Sequence, residues 1–198
     1  MVNCPHLNYI WNATQKRSVS VDNALKAGTA QIALDIFTPH INDMLLNSSV
    51  DLIFVDTITH NPKDPLQGTG DRIVLGNTGF PRVLEISKNR HMVCTVAVKN
   101  FNIRTILHTI AHELTHACQG LTGKLVIGDL GNSDTITLWK HRAFCTKMFE
   151  YEKFPWEIEA NEVSDNIMKG LDSKLELETG IILDGLSMIP GSDEELVE

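Results

Sequence analysis

The chain has 198 residues, 42% of them hydrophobic and 21% charged, enough for one globular domain with a substantial core and too few for two. A formal net charge of -8, without any cluster of Lys and Arg, excludes the electrostatic footprint of a nucleic-acid-binding protein. No stretch approaches the roughly 18 consecutive apolar residues of a membrane span, and the opening MVNCPHLNYIWNATQKRSV lacks the pattern of a signal peptide.

In chain order, apolar residues at helical spacing (Ala24, Leu25, Gly28, Ile32, Ile36 and Phe37) predict a helix over about 21–46, bent or divided at Pro39. Short β-branched runs follow at 51–56, 71–76, 82–87 and 92–98, separated by turn-rich segments. The interval KNR between the last two predicts a hairpin, and the run at 92–98 is the expected edge of a substrate cleft. A second helix is predicted from Asn102, a good N-cap, to Gly120, a good stop. Strands at 124–129 and 134–140 come next, then a mostly helical region in which Pro155 starts a helix and Gly170 closes it. The acidic end, 191–198, is expected to be loose.

This order predicts one α+β domain spanning 1–198, with a small mixed or antiparallel sheet. Cys4, Cys94, Cys118 and Cys145 are scattered without a CxxC pair, as expected of reduced thiols in a soluble cytoplasmic protein.

The segment IAHELTHACQG lies on the second helix. At about 100° per residue, Ile103, Ile106, Leu107, Ile110, Leu114 and Ala117 share one face, within about 60° of Ile103. His108, His112 and His116 fall opposite, with Thr105 and Gln119 among them, and Glu113 lies beside that stripe. His112 and His116, one turn apart, can direct their nitrogens at a single zinc ion. Glu113, displaced to the side, is placed to deprotonate a water activated by that ion. The competing reading is a solvated face that happens to carry these residues, but Lys and Glu dominate ordinary solvated faces.

A catalytic zinc takes a third protein ligand, and the best downstream source is FPWEIEANEVSDNIMKG. Glu157 and Asn161 are i and i+4 and share a face, which suits a ligand and a partner for a histidine ring N–H. Glu159 is about 200° away from Glu157 around that helix, so only one of them faces the metal. Glu159, Glu162 and Asp165 are otherwise read as a solvated acidic face. Tyr151, His108 and His141 are the polar candidates for stabilising an oxyanion.

HELTHACQ followed by PWEIEAN resembles the gluzincin zinc metallopeptidases, whose HExxH helix is completed by a Glu on a later helix. It is most similar to the small phage-type metallopeptidases and to the ImmA/IrrE peptidases, and Asn161 stands where thermolysin-type members carry Asp. The resemblance covers about 101–168. It implies Zn2+ on His112, His116 and Glu157, Glu113 as general base, Asn161 beside the ligands, and a peptide or protein substrate. The alternative on the same scaffold is a non-catalytic, zinc-containing binding or regulatory protein.

Overall fold

The structure, a computed structural model, describes residues 7–14, 18–40, 48–58, 75–79, 91–129, 135–146 and 149–179. Alternation of apolar and polar residues in SVDLIFV makes Ser49–Val55 a strand, β2, that buries Val50, Leu52 and Phe54 on one face. It lies between two parallel neighbours, β1 (Leu7–Trp11) and β4 (His91–Ala97), in registers Leu7↔Val50 and Ser49↔His91. Strand β1 went unrecognised in the sequence because it is short and only partly buried. Tyr9 and Trp11 hold it, with ring centroids 4.5 and 5.2 Å from Phe54.

The connection from β1 to β2 carries helix α1 (Val19–Phe37), whose N-cap Ser18 accepts a hydrogen bond from Val21 N–H. The α-helix ends at Phe37 and passes into a 3₁₀ turn over Thr38–His40, at the division expected at Pro39, while 41–46 of the expected span lie outside the described residues. A short strand β3 (Gly76–Gly79) pairs antiparallel with β4, giving the sheet order β1-β2-β4-β3.

One expectation changes here and another falls partly outside the described residues. The strand expected at 71–76 is described only from residue 75, and the described strand, Gly76–Gly79, pairs with the 93–96 stretch of β4. The expected cleft edge, β4, is an interior strand with neighbours on both sides, so among the described residues the edge belongs to β3. The predicted strand 82–87, its KNR turn and the 191–198 tail lie outside the described residues.

Helix α2 (Ile103–Leu121) packs its apolar face on this sheet and on α1, and Ile103, Ile106, Leu107, Ile110, Leu114 and Ala117 are all fully buried. Asn102 caps it by accepting from Thr105 N–H at 2.8 Å. It ends one residue beyond Gly120, and the stop is made by Gly123 at φ +70°. Gly123 N–H bonds Gly120 C=O at 3.0 Å and Lys124 N–H bonds Gln119 C=O at 2.9 Å, the paired bonds of a Schellman turn.

That turn feeds an antiparallel sheet, β5 (Leu125–Asp129), β6 (Thr135–Trp139) and β7 (Arg142–Phe144). Helix α3 (Pro155–Thr179) then crosses back over α2. It runs through Gly170, the expected stop, since the helix-forming LDSKLELE that follows outweighs the roughly 1 kcal/mol cost of one glycine. The architecture is α+β, as expected, and no helix among the described residues is long and apolar enough to cross a membrane.

Candidate metal centre

Helix α3 turns the polar stripe of α2 into an interior. His116 and Gln119, on that stripe, are buried where α3 lies across them. A small aromatic core sets where α3 begins. Phe154 and Trp156 are buried with Leu125 beneath the second sheet, and Trp156 stacks among Phe144, Phe154 and Trp139 at 4.7–6.2 Å between centroids. With Trp156 anchored there, the next residue, Glu157, is carried inward onto α2. Ala160 and Ser164, both fully buried, let the helices come together.

His112, His116 and Glu157 converge in this interface, and each offers one ligand atom to a common point. The Nε2 atoms of the histidines are 3.0 Å apart, and Glu157 Oε2 lies 3.2 Å from His112 Nε2 and 3.3 Å from His116 Nε2. Donors about 2.05 Å from a tetrahedral ion stand roughly 3.3 Å from one another, so the set fits a divalent metal without rearrangement. The group can bind a metal ion.

The electrostatics follow from the same crowding. Burial pulls the His116 imidazolium down, but the hydrogen bond and charge of Glu157, aided by Glu113, push its pKa up to about 9. Burial likewise opposes the Glu157 carboxylate, yet His112 and His116 bring it down to about 2. A bound cation replaces the shared protons as the partner of these groups.

Glu113 stands apart from these three candidate ligands. It is buried against β3, where Thr78 Oγ1 donates to Glu113 Oε2 at 2.6 Å and lies 3.0 Å from Glu113 C=O. Gly76 makes room for the side chain, since a Cβ there would stand 2.4 Å from Glu113 Oε1. Burial raises the Glu113 pKa above 4.5, against the lowering effects of His116, His112 and Thr78. The Cys94 thiol closes the far side at 3.5 Å from Glu113 C=O, pushed well above its ordinary range by burial, and is inert packing. Neither Thr78 nor Gly76 was singled out in the sequence, where NTG read as part of a turn.

The histidine partner expected at Asn161 is elsewhere. Asn161 is exposed, and its main-chain carbonyl accepts from Ser164 Oγ at 3.0 Å. For His116 the role falls to Gln119, whose Oε1 lies 2.9 Å from His116 Nδ1. One further turn along α2 puts Gln119 on the same buried stripe, whereas Asn161 faces solvent on α3.

Glu159 is also more than a solvated carboxylate, because it accepts from Gln119 Nε2 at 3.0 Å and pairs with Lys124. His108 pairs with Asp165 at 3.0 Å near the surface, linking α2 to α3 one turn from His112. Tyr151 is exposed in a 3₁₀ turn and His141 in the β6–β7 turn. The chain matches no protein-family model, no curated protein and no solved structure.

Proposed function

We propose that the chain is a zinc-dependent peptidase of the gluzincin type, closest in its motifs to the phage-type enzymes. The observation that carries this reading is a buried carboxylate beside, but outside, a complete His-His-Glu ligand set. A site that only held a metal for stability gains nothing from burying a further carboxylate whose charge is disfavoured there.

Zinc is the ion this donor set suits, two imidazoles and one carboxylate, and when bound it acidifies a water and polarises a carbonyl. The residues supply the rest. His112, His116 and Glu157 would hold the ion. Thr78 holds Glu113 Oε2, which leaves Oε1 to take the proton of the attacking water and then deliver it to the leaving amine nitrogen. The raised pKa of Glu113 moves it toward the range in which a carboxylate both accepts and returns a proton near neutrality.

The test joins metal content and turnover. Protein purified without a His-tag should carry close to one zinc per chain. It should cleave members of a proteome-derived peptide library that the Glu113→Gln variant leaves intact. Zinc without cleavage of any peptide would overturn the peptidase reading and leave a metal-holding binding or regulatory protein.

A further inference from the structure

Behind His116 runs a chain of contacts that ends at the surface: His116 Nδ1 to Gln119 Oε1 at 2.9 Å, Gln119 Nε2 to Glu159 Oε2 at 3.0 Å, and Glu159 Oε1 to Lys124 Nζ. Gln119 Nε2 also donates to the main-chain carbonyl of Trp156 at 3.1 Å. The chemistry of these partners gives the chain a direction. A carbonyl and a carboxylate only accept, so both require the NH₂ end of the Gln119 amide. Its oxygen is then left facing His116, and an amide oxygen only accepts, so His116 must present Nδ1–H. In the neutral ring the lone pair is consequently on Nε2, the atom aimed at His112 Nε2 and Glu157 Oε2.

We propose that Glu159 and Lys124 are positioning residues for the metal centre: acting through Gln119, they hold His116 in the one tautomer that can ligate zinc. The inference rests on the metal reading of His112, His116 and Glu157. Two local features build the relay. The Schellman turn at Gly123 brings Lys124 back beside α3, and the placement of Trp156 sets both the carbonyl that Gln119 needs and the ligand that follows it. Glu159 faces away from the metal, and that is how it can reach the back of the histidine.

Turning the Gln119 amide over would present NH₂ to His116 Nδ1 and favour the tautomer whose Nε2 carries hydrogen. Glu159→Gln invites that turn. The new amide can offer either its oxygen or its NH₂ to Gln119, so after this change only the Trp156 carbonyl still selects the NH₂ end of Gln119. Gln119→Ala removes the link altogether, and Glu159 then has no route to His116.

The experiment measures zinc affinity of the full chain by competition with a chromophoric chelator at one fixed pH. Melting of each chelator-stripped variant serves as the folding control. Glu159→Ala and Glu159→Gln should each weaken zinc by about tenfold or more, as outer partners of histidine ligands do. Combining Gln119→Ala with Glu159→Ala should bind zinc within about threefold of Gln119→Ala alone, a coupling expected only of residues acting through one another. Losses that multiply in the double variant would show that Glu159 does not act through Gln119, and that result overturns the proposal. Single variants within about twofold of the parent would overturn it as well. A parent chain that binds no zinc would instead overturn the metal reading, and this inference with it.

Discussion

Thr78 on the edge strand β3 donates its hydroxyl to Glu113 Oε2 at 2.6 Å, joining two buried residues 35 positions apart. The bond holds one carboxylate oxygen and leaves the other for the proton transfer proposed for Glu113. A hydrogen bond to a charged group is worth about 1.5–3 kcal/mol, so Thr78→Val should slow peptide hydrolysis roughly 10- to 100-fold. Zinc affinity should not change, since Thr78 touches none of the three ligands, and Thr78→Ser should recover most of the rate. Equal activity in the valine variant would show that Glu113 is positioned by something else.

Glu113→Gln keeps the shape of the side chain and its contact with Thr78 while removing the basic oxygen. Hydrolysis should fall by at least about a hundredfold, the lower end for acid–base catalysis, with zinc content unchanged. Loss of the metal in this variant would mean that Glu113 is itself a ligand.

The ligand on α3 is tested by two neighbouring substitutions with different signatures. Glu157→Ala removes a ligand and should weaken zinc by orders of magnitude, abolishing the rise in melting temperature that zinc produces. Trp156→Ala instead empties the aromatic core beneath the second sheet, at a cost of about 3–5 kcal/mol for a large buried aromatic. It should therefore lower the melting temperature of the metal-free protein as well. Calorimetry with and without chelator separates the two, and a Trp156→Ala protein as stable as the parent would remove the anchoring role given to that ring.

The metal-free protein should lose stability as pH rises. His116, raised from 6.5 to about 9, and Glu113, raised above 4.5, both hold their protons more tightly when folded. Their stabilisation is complete below those free values and is lost as pH climbs through the folded ones. Glu157, lowered from 4.5 to about 2, has the opposite sign: its contribution is present above 4.5 and is lost as pH falls toward 2. Chelator-stripped protein should thus melt highest between the free carboxylate and free imidazole values and decline toward pH 9.

Zinc must displace the His116 proton, so its affinity should climb about tenfold per pH unit until that group is neutral near 9. A free imidazole would centre that competition near 6.5, and Glu157 is what moves it upward. An affinity flat across this range would argue against histidine ligation.

Helical periodicity is local, and what depends on it was legible in the sequence. The apolar face of α2 is buried as its spacing predicts, and the same 100° step sets His112 and His116 one turn apart on the other side. The two strand runs with strong β-branched alternation became β2 and β4, and Glu157 and Glu159 were separable because they point opposite ways around one helix.

What lay beyond reach depends on contacts between distant segments. Nothing in NTG announces that Gly76 and Thr78 will enclose Glu113, because a four-residue edge strand leaves no periodicity to read. The packing of α3 on α2, with Trp156 anchored beneath the second sheet, decided that Gln119 rather than Asn161 reaches His116. It also decided that Glu159, a surface carboxylate by spacing, stands at the back of a candidate ligand. The chain's own order supplies the candidate metal ligands and the base, but tertiary packing alone supplies the groups that hold them, because hydrogen-bond partners need only meet in space.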